Sequence, residues 1–137
     1  MSIPSAKSVL EGIWASARAV YPRLVEIRRH IHSFPELSGQ EWQTSAYVAG
    51  VLSSCGLMVR EAVGKTGVLA DWGTADTPLL AVRADLDALP IQEQTELEYR
   101  SRVAGVMHAC GHDVHTAVAL GTAMVLSRLE VPLPGRV

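Results

Sequence analysis

Residues 79–90 read LLAVRADLDALP, a run of apolar and branched residues that passes within six positions into Asp85, Asp87 and Pro90. An uninterrupted apolar run of this length suits a strand buried on both faces of a sheet. The acidic residues then fall where the strand ends, and in open α/β sheets that is where ligands bind. Upstream, LMVREAV (57–63) and GVLADWG (67–73) are short, branched-rich runs joined through GKTG (64–67), which predicts a hairpin or a pair of neighbouring strands. TADTP (74–78) reads as a turn.

Outside this stretch the period is helical. From Lys7 to His32 the apolar residues Leu10, Ile13, Trp14, Ala17, Val20, Leu24, Ile27 and Ile31 recur at threes and fours, the spacing of one helix face. Pro22 is expected to kink or restart that helix. Ser38 with Glu41 three residues on reads as a capping box opening a second helix through Val48, Val51 and Leu52, which Gly56 closes in a left-handed conformation. A last helix is expected over Asp113–Leu129, with Asp113 as its cap, before the Pro/Gly stop VPLPG (131–135). The segment between, IQEQTELEYRSRVAGVM (91–107), is polar and turn-like. Helix, helix, strands, helix places the chain in the α/β class, with a mixed sheet flanked by helices.

Composition narrows the function. The chain has 137 residues, 12 Lys+Arg, 14 Asp+Glu and a formal charge of −2, with basic residues scattered singly, so nucleic acid is not an expected partner. Two cysteines, Cys55 and Cys110, are too few for a disulfide scaffold and predict a reducing, cytoplasmic setting. No apolar window reaches the roughly 18 residues of a membrane span, so neither export nor anchoring is expected. Glycine-rich nucleotide loops and the GxSxG nucleophile pattern are absent.

The densest group of metal-capable side chains is HACGHDVHTA (108–117), with His108, Cys110, His112, Asp113 and His115. A thiolate and an imidazole separated by Gly111 can turn toward one ion, since glycine lets the backbone fold without a steric penalty. A helix starting just after Cys110 would favour its thiolate. Burial as an ordinary core cysteine and satisfied histidines is the alternative. Asp85 and Asp87 share one side of an extended segment. They can bind a cation, orient a metal-bound histidine or cap the following turn, and Arg83 can pair with either. Glu36 and Glu41 are explained by capping and loop geometry. Trp14, Trp42 and Trp72 read as core or interface aromatics.

Together HSFPELSGQE (32–41), AVGKTGVLADW (62–72), AVRADLDALPIQEQT (81–95) and GVMHACGHDVHTA (105–117) resemble the opening third of the metal-dependent aminoacylase and carboxypeptidase family. The nearest branch holds hippurate hydrolases, N-acyl-L-amino-acid amidohydrolases and hydrolases of auxin-amino acid conjugates. The resemblance implies that Cys110 and His112 are ligands of a site for two divalent metal ions, zinc, manganese or cobalt, and that Asp87 is the active-site aspartate supporting it. It assigns nothing to His108 or His115 and leaves Asp85 open, because related branches carry a metal-binding histidine there. The substrate implied is a small N-acyl amino acid or peptide, with homo-oligomers possible. The family's general-base glutamate, its remaining ligands and its lid or dimerisation domain have no counterpart in residues 1–137, which correspond to the first portion of the catalytic domain. The isolated chain is therefore expected to be inactive or nearly so. Two other readings stand beside this one: a non-enzymatic truncated product or complementing chain, and a thiol hydrolase with Cys110 as nucleophile, His112 or His115 as base and Asp87 as orienter.

Overall fold

The computed structural model describes residues 5–73, 80–129 and 135–137. Helix α1 spans Ala6–Ser33, and Ser5 caps it by accepting a hydrogen bond from the Ser8 N–H at 3.2 Å. Pro22 lies within this helix, which continues past it to Ser33. The apolar stripe is used unevenly. Val20, Ile27 and Ile31 are buried, whereas Leu10 and Trp14 stand exposed, because the packing partners of α1 cover only its C-terminal half.

Helix α2 spans Trp42–Ser54. The expected capping box does not form. Ser38 is exposed, and the carboxylate of Glu36 reaches past it to accept from the N–H groups of Gln43 and Thr44, at 3.1 and 2.7 Å, and from the Thr44 hydroxyl. A charged oxygen satisfies two orphan donors of the first turn and meets the positive end of the helix, which a serine hydroxyl cannot do as well. Glu41 turns away to accept from the Thr66 hydroxyl at 2.7 Å. At the other end Gly56 adopts φ +78° and its N–H donates to Ser53 O, as the sequence predicts.

Strands β1 (Met58–Val63) and β2 (Gly67–Asp71) form the expected hairpin, antiparallel with Met58 opposite Asp71 and Val63 opposite Gly67. Helix α3 spans His112–Leu126 and lies across α1. A methyl group on Gly121 would come within 2.6 Å of Leu24 Cδ1, so the leucine side chain of α1 packs directly over this glycine of α3. The core forms where three helices meet: Ile27 and Ile31 from α1, Val48 and Val51 from α2, Ala117 and Leu120 from α3.

The α/β class holds, but the sheet proper among the described residues is the β1–β2 pair. Residues 81–87 form no strand, and Leu80 and Val82 are exposed. A strand buried on both faces needs hydrogen-bonding neighbours at its edges. Here an apolar groove of about 600 Å³ separates the segment from the hairpin, lined by Leu52, Val68, Val82, Leu86 and Leu126. Isolated bridges follow it, Leu37 to Ala88 parallel and Leu89 to Met107 antiparallel. Past β2, Trp72 and Val137 exchange two backbone hydrogen bonds of 2.9 Å. The turn at 74–78 and most of the stop at 131–135 lie outside the described residues. Trp14 and Trp42 are exposed and so are not core residues; Trp42 lies beneath Lys65 Nζ, 5.6 Å from its ring.

Candidate functional site

The bridges at Ala88 and Leu89 deliver the end of the acidic segment to the N-terminus of α3. Gly111, at φ +83°, is the N-cap, so the helix begins at His112 and Asp113 is a first-turn residue rather than the cap expected from the sequence. The left-handed turn at 111 lets the chain enter the helix directly from Cys110, whose side chain is exposed.

His112 is held by Asp87. Its Nδ1 lies 2.9 Å from the Asp87 carbonyl oxygen and 3.0 Å from Oδ1. Both neighbours are acceptors, so Nδ1 carries the proton and shares it between them, and in the neutral ring Nε2 keeps its lone pair. A ring in this tautomer can offer Nε2 to a cation. Asp85 behaves differently. Its carboxylate pairs with Arg83 near the solvent, and its backbone carbonyl accepts from the Thr116 hydroxyl at 3.0 Å. The two aspartates expected to act on one side are thus divided, one to a histidine and one to an arginine. His115 is exposed on α3, its ring 6.1 Å from that of His112.

Behind this loop lies a buried polar network that the motif reading did not find. His32, near the end of α1, is 4% exposed, with Nδ1 2.8 Å from Asp113 Oδ2 and Nε2 3.2 Å from Glu93 Oε1. Asp113 is fully buried, and Arg28 Nε lies 2.7 Å from its Oδ2, a charge contact rather than an aligned hydrogen bond. Glu93 also accepts from the Ser101 N–H at 2.6 Å and the Thr95 hydroxyl at 2.5 Å. Burial on its own would raise the Glu93 carboxyl, but those donors and His32 together hold it below the usual range. His108 is buried beside the network, ring centroid 6.4 Å from that of His32, and neither ring nitrogen has a hydrogen-bond partner among the described residues. Burial pushes its imidazole below the ordinary value, against the opposing charge of Asp113. A sequence signal for the network exists: Arg28 and His32 stand four apart on α1 beside the buried Ile27 and Ile31.

Cys110 and His112 flank Gly111, and Asp87 joins His112. Among the described residues no three His, Cys, Asp or Glu side chains gather into a ready cation site. Nor is any described helix long and apolar enough to cross a membrane.

Asp87 thus presents His112 at the start of α3, one residue past Gly111 and close in sequence to the exposed Cys110. Residues 81–137 match the family described as Peptidase family M20/M25/M40. The chain is 65% identical over 88% of its length to the Synechocystis sp. protein named "Probable hydrolase sll0100", covering 31% of that protein. With the N-acetyl-L-cysteine deacetylase of Bacillus subtilis it shares 47% identity over 84% of its length and 28% of the relative. The crystal structure of Bacillus subtilis YXEP, described as a dinuclear metal binding peptidase from M20 family, superposes with a TM-score of 0.80 at 46% identity, over 87% of this chain and 34% of that one. The chain spans about a third of the length of the curated relatives it matches.

Proposed function

We propose that these residues contribute to a metal-dependent amidohydrolase that cleaves the amide bond of N-acyl amino acids or short peptides. Cys110 and His112 are its metal ligands and Asp87 supports His112. The observation that carries the reading is the pair of acceptors on His112 Nδ1, which commits the ring to offering Nε2. The donor set fits: an exposed thiol and a half-buried imidazole around a left-handed glycine suit a borderline transition metal such as zinc or cobalt better than a hard cation such as calcium, with manganese depending on further oxygen donors. Two such ions, as in the name given to the B. subtilis YXEP structure, would supply Lewis acidity toward an acyl carbonyl and its attacking water. The work of this chain is to hold the Nδ1 proton at Asp87, aim Nε2, and keep Cys110 open to solvent. The deacetylase name of a 47% identical relative supports a small N-acyl amino acid as substrate.

The test is a zinc titration of the purified chain followed by calorimetry. Zinc is expected to bind, Cys110→Ser to weaken binding at least tenfold, and hippurate hydrolysis by the isolated chain to stay at background, since two donors fill no catalytic shell. Equal zinc affinity in the wild type and Cys110→Ser would refute the ligand assignment. A stoichiometric loss of activity on alkylation without metal would instead favour the thiol-hydrolase reading.

A further inference from the structure

We propose that His32 is a positioning residue for His112, an inference that rests on the ligand reading above. His112 and Asp113 are consecutive in the first turn of α3, and each is gripped from a different side. Asp87 takes His112 from the segment after Ala84, while His32 and Arg28 take Asp113 from α1. Gly111 precedes them in a left-handed turn and contributes no side chain, so nothing at the cap itself fixes this end of the helix. The fixing comes from side chains packed against it, Asp87 on one side and Arg28 with His32 on the other, and His32 is the buried link from Asp113 to Glu93.

Its two ring nitrogens point at carboxylate oxygens 2.8 and 3.2 Å away, and each contact requires a proton between the atoms. Arg28 Nη2 stands 3.4 Å from the same Nδ1, but that proton faces Asp113, so the guanidinium serves the carboxylate by charge. On the far side, Glu93 is locked by Ser101 and Thr95. The Ser33 hydroxyl donates to Tyr99 O at 2.9 Å, and the Arg102 N–H donates to Ser33 O at the same distance. The end of α1 is therefore pinned to the 93–102 loop, and His32 transmits that anchorage to Asp113 and the ligand-bearing turn. Close packing makes such a chain of contacts stiff. Loss of the middle link lets α3 rotate, and His112 then leaves the shared acceptors of Asp87.

The chain carrying ¹⁵N-labelled histidine reports this directly, because the ring nitrogen shifts distinguish Nδ1–H from Nε2–H. The wild type is expected to show His112 as the Nδ1–H tautomer. His32→Asn is expected to mix the two tautomers and weaken zinc about 10–100-fold, the usual cost of losing a partner behind a ligand. Glu93→Gln, which keeps an acceptor and removes the charge, is expected to shift both readouts in the same direction to a lesser degree. Arg23→Ala, which breaks only an exposed ion pair with Glu26, should move neither. A His112 tautomer unchanged in every folded His32 and Glu93 variant overturns the proposal. Should the wild-type chain fail to bind zinc, the ligand reading falls, yet the tautomer comparison still decides the role of His32.

Discussion

Asp113→Ala is expected to cost about 3–5 kcal/mol of stability, the range for removing one partner of a buried ion pair. The carboxylate is fully buried and is the only acidic group facing both Arg28 and His32 among the described contacts. Its removal leaves the buried His32 imidazole and the partly exposed Arg28 guanidinium side by side without the carboxylate they share. Asp113→Asn keeps an acceptor and the shape, so its cost should be smaller. Urea unfolding of the three proteins measures the difference, and a loss below about 1 kcal/mol for the alanine variant would show that the network contributes little to the fold. Such a loss would also weaken the case for His32 as an anchor.

Ile27→Ala should approach that effect by a different route. Ile27 is 0% exposed and lies in the cluster of Ile31, Val48, Val51, Ala117 and Leu120, so truncation removes apolar contacts and leaves a cavity. Buried isoleucine-to-alanine changes cost about 2–5 kcal/mol. The high end applies here, because Ile27 sits among residues from all three helices and no single one can shift to fill the gap. Leu10→Ala on the same helix, at a position 57% exposed, is expected to stay within about 0.5 kcal/mol. Thermal unfolding of both variants checks the contrast. Equal losses would mean that the N-terminal half of α1 is packed as tightly as the rest.

That contrast marks how far the sequence could be read. Periodicity located all three helices and both hairpin strands, because 3.6- and 2-residue spacing reflects which face is buried. It could not say that Leu10 and Trp14 would lack a partner, since the pattern records an apolar face and not what meets it. Residues 81–87 show the same limit: an apolar run fits a doubly buried strand, but ladder formation depends on neighbours elsewhere. Cys110 and His112 stood out because rare, chemically capable residues cluster at short range, whereas Asp87 was singled out only by the resemblance. His32, Arg28 and Glu93 did not stand out, because 81 residues separate His32 from Asp113 and 61 separate it from Glu93. Their role exists only once α1, α3 and the 93–102 loop are packed together. Asp113 was visible but assigned to capping, the common use of an acid in a first turn, whereas tertiary charge claimed it.

The account stands on one arrangement, the convergence of Cys110 Sγ and His112 Nε2 on a single cation. X-ray absorption at the zinc edge of the zinc-loaded chain tests it most directly. The account predicts one sulfur near 2.3 Å together with nitrogen near about 2.0–2.1 Å, with the sulfur shell lost in Cys110→Ser and a nitrogen scatterer lost in His112→Ala. A shell of oxygen and nitrogen alone, unchanged by either substitution, would contradict it.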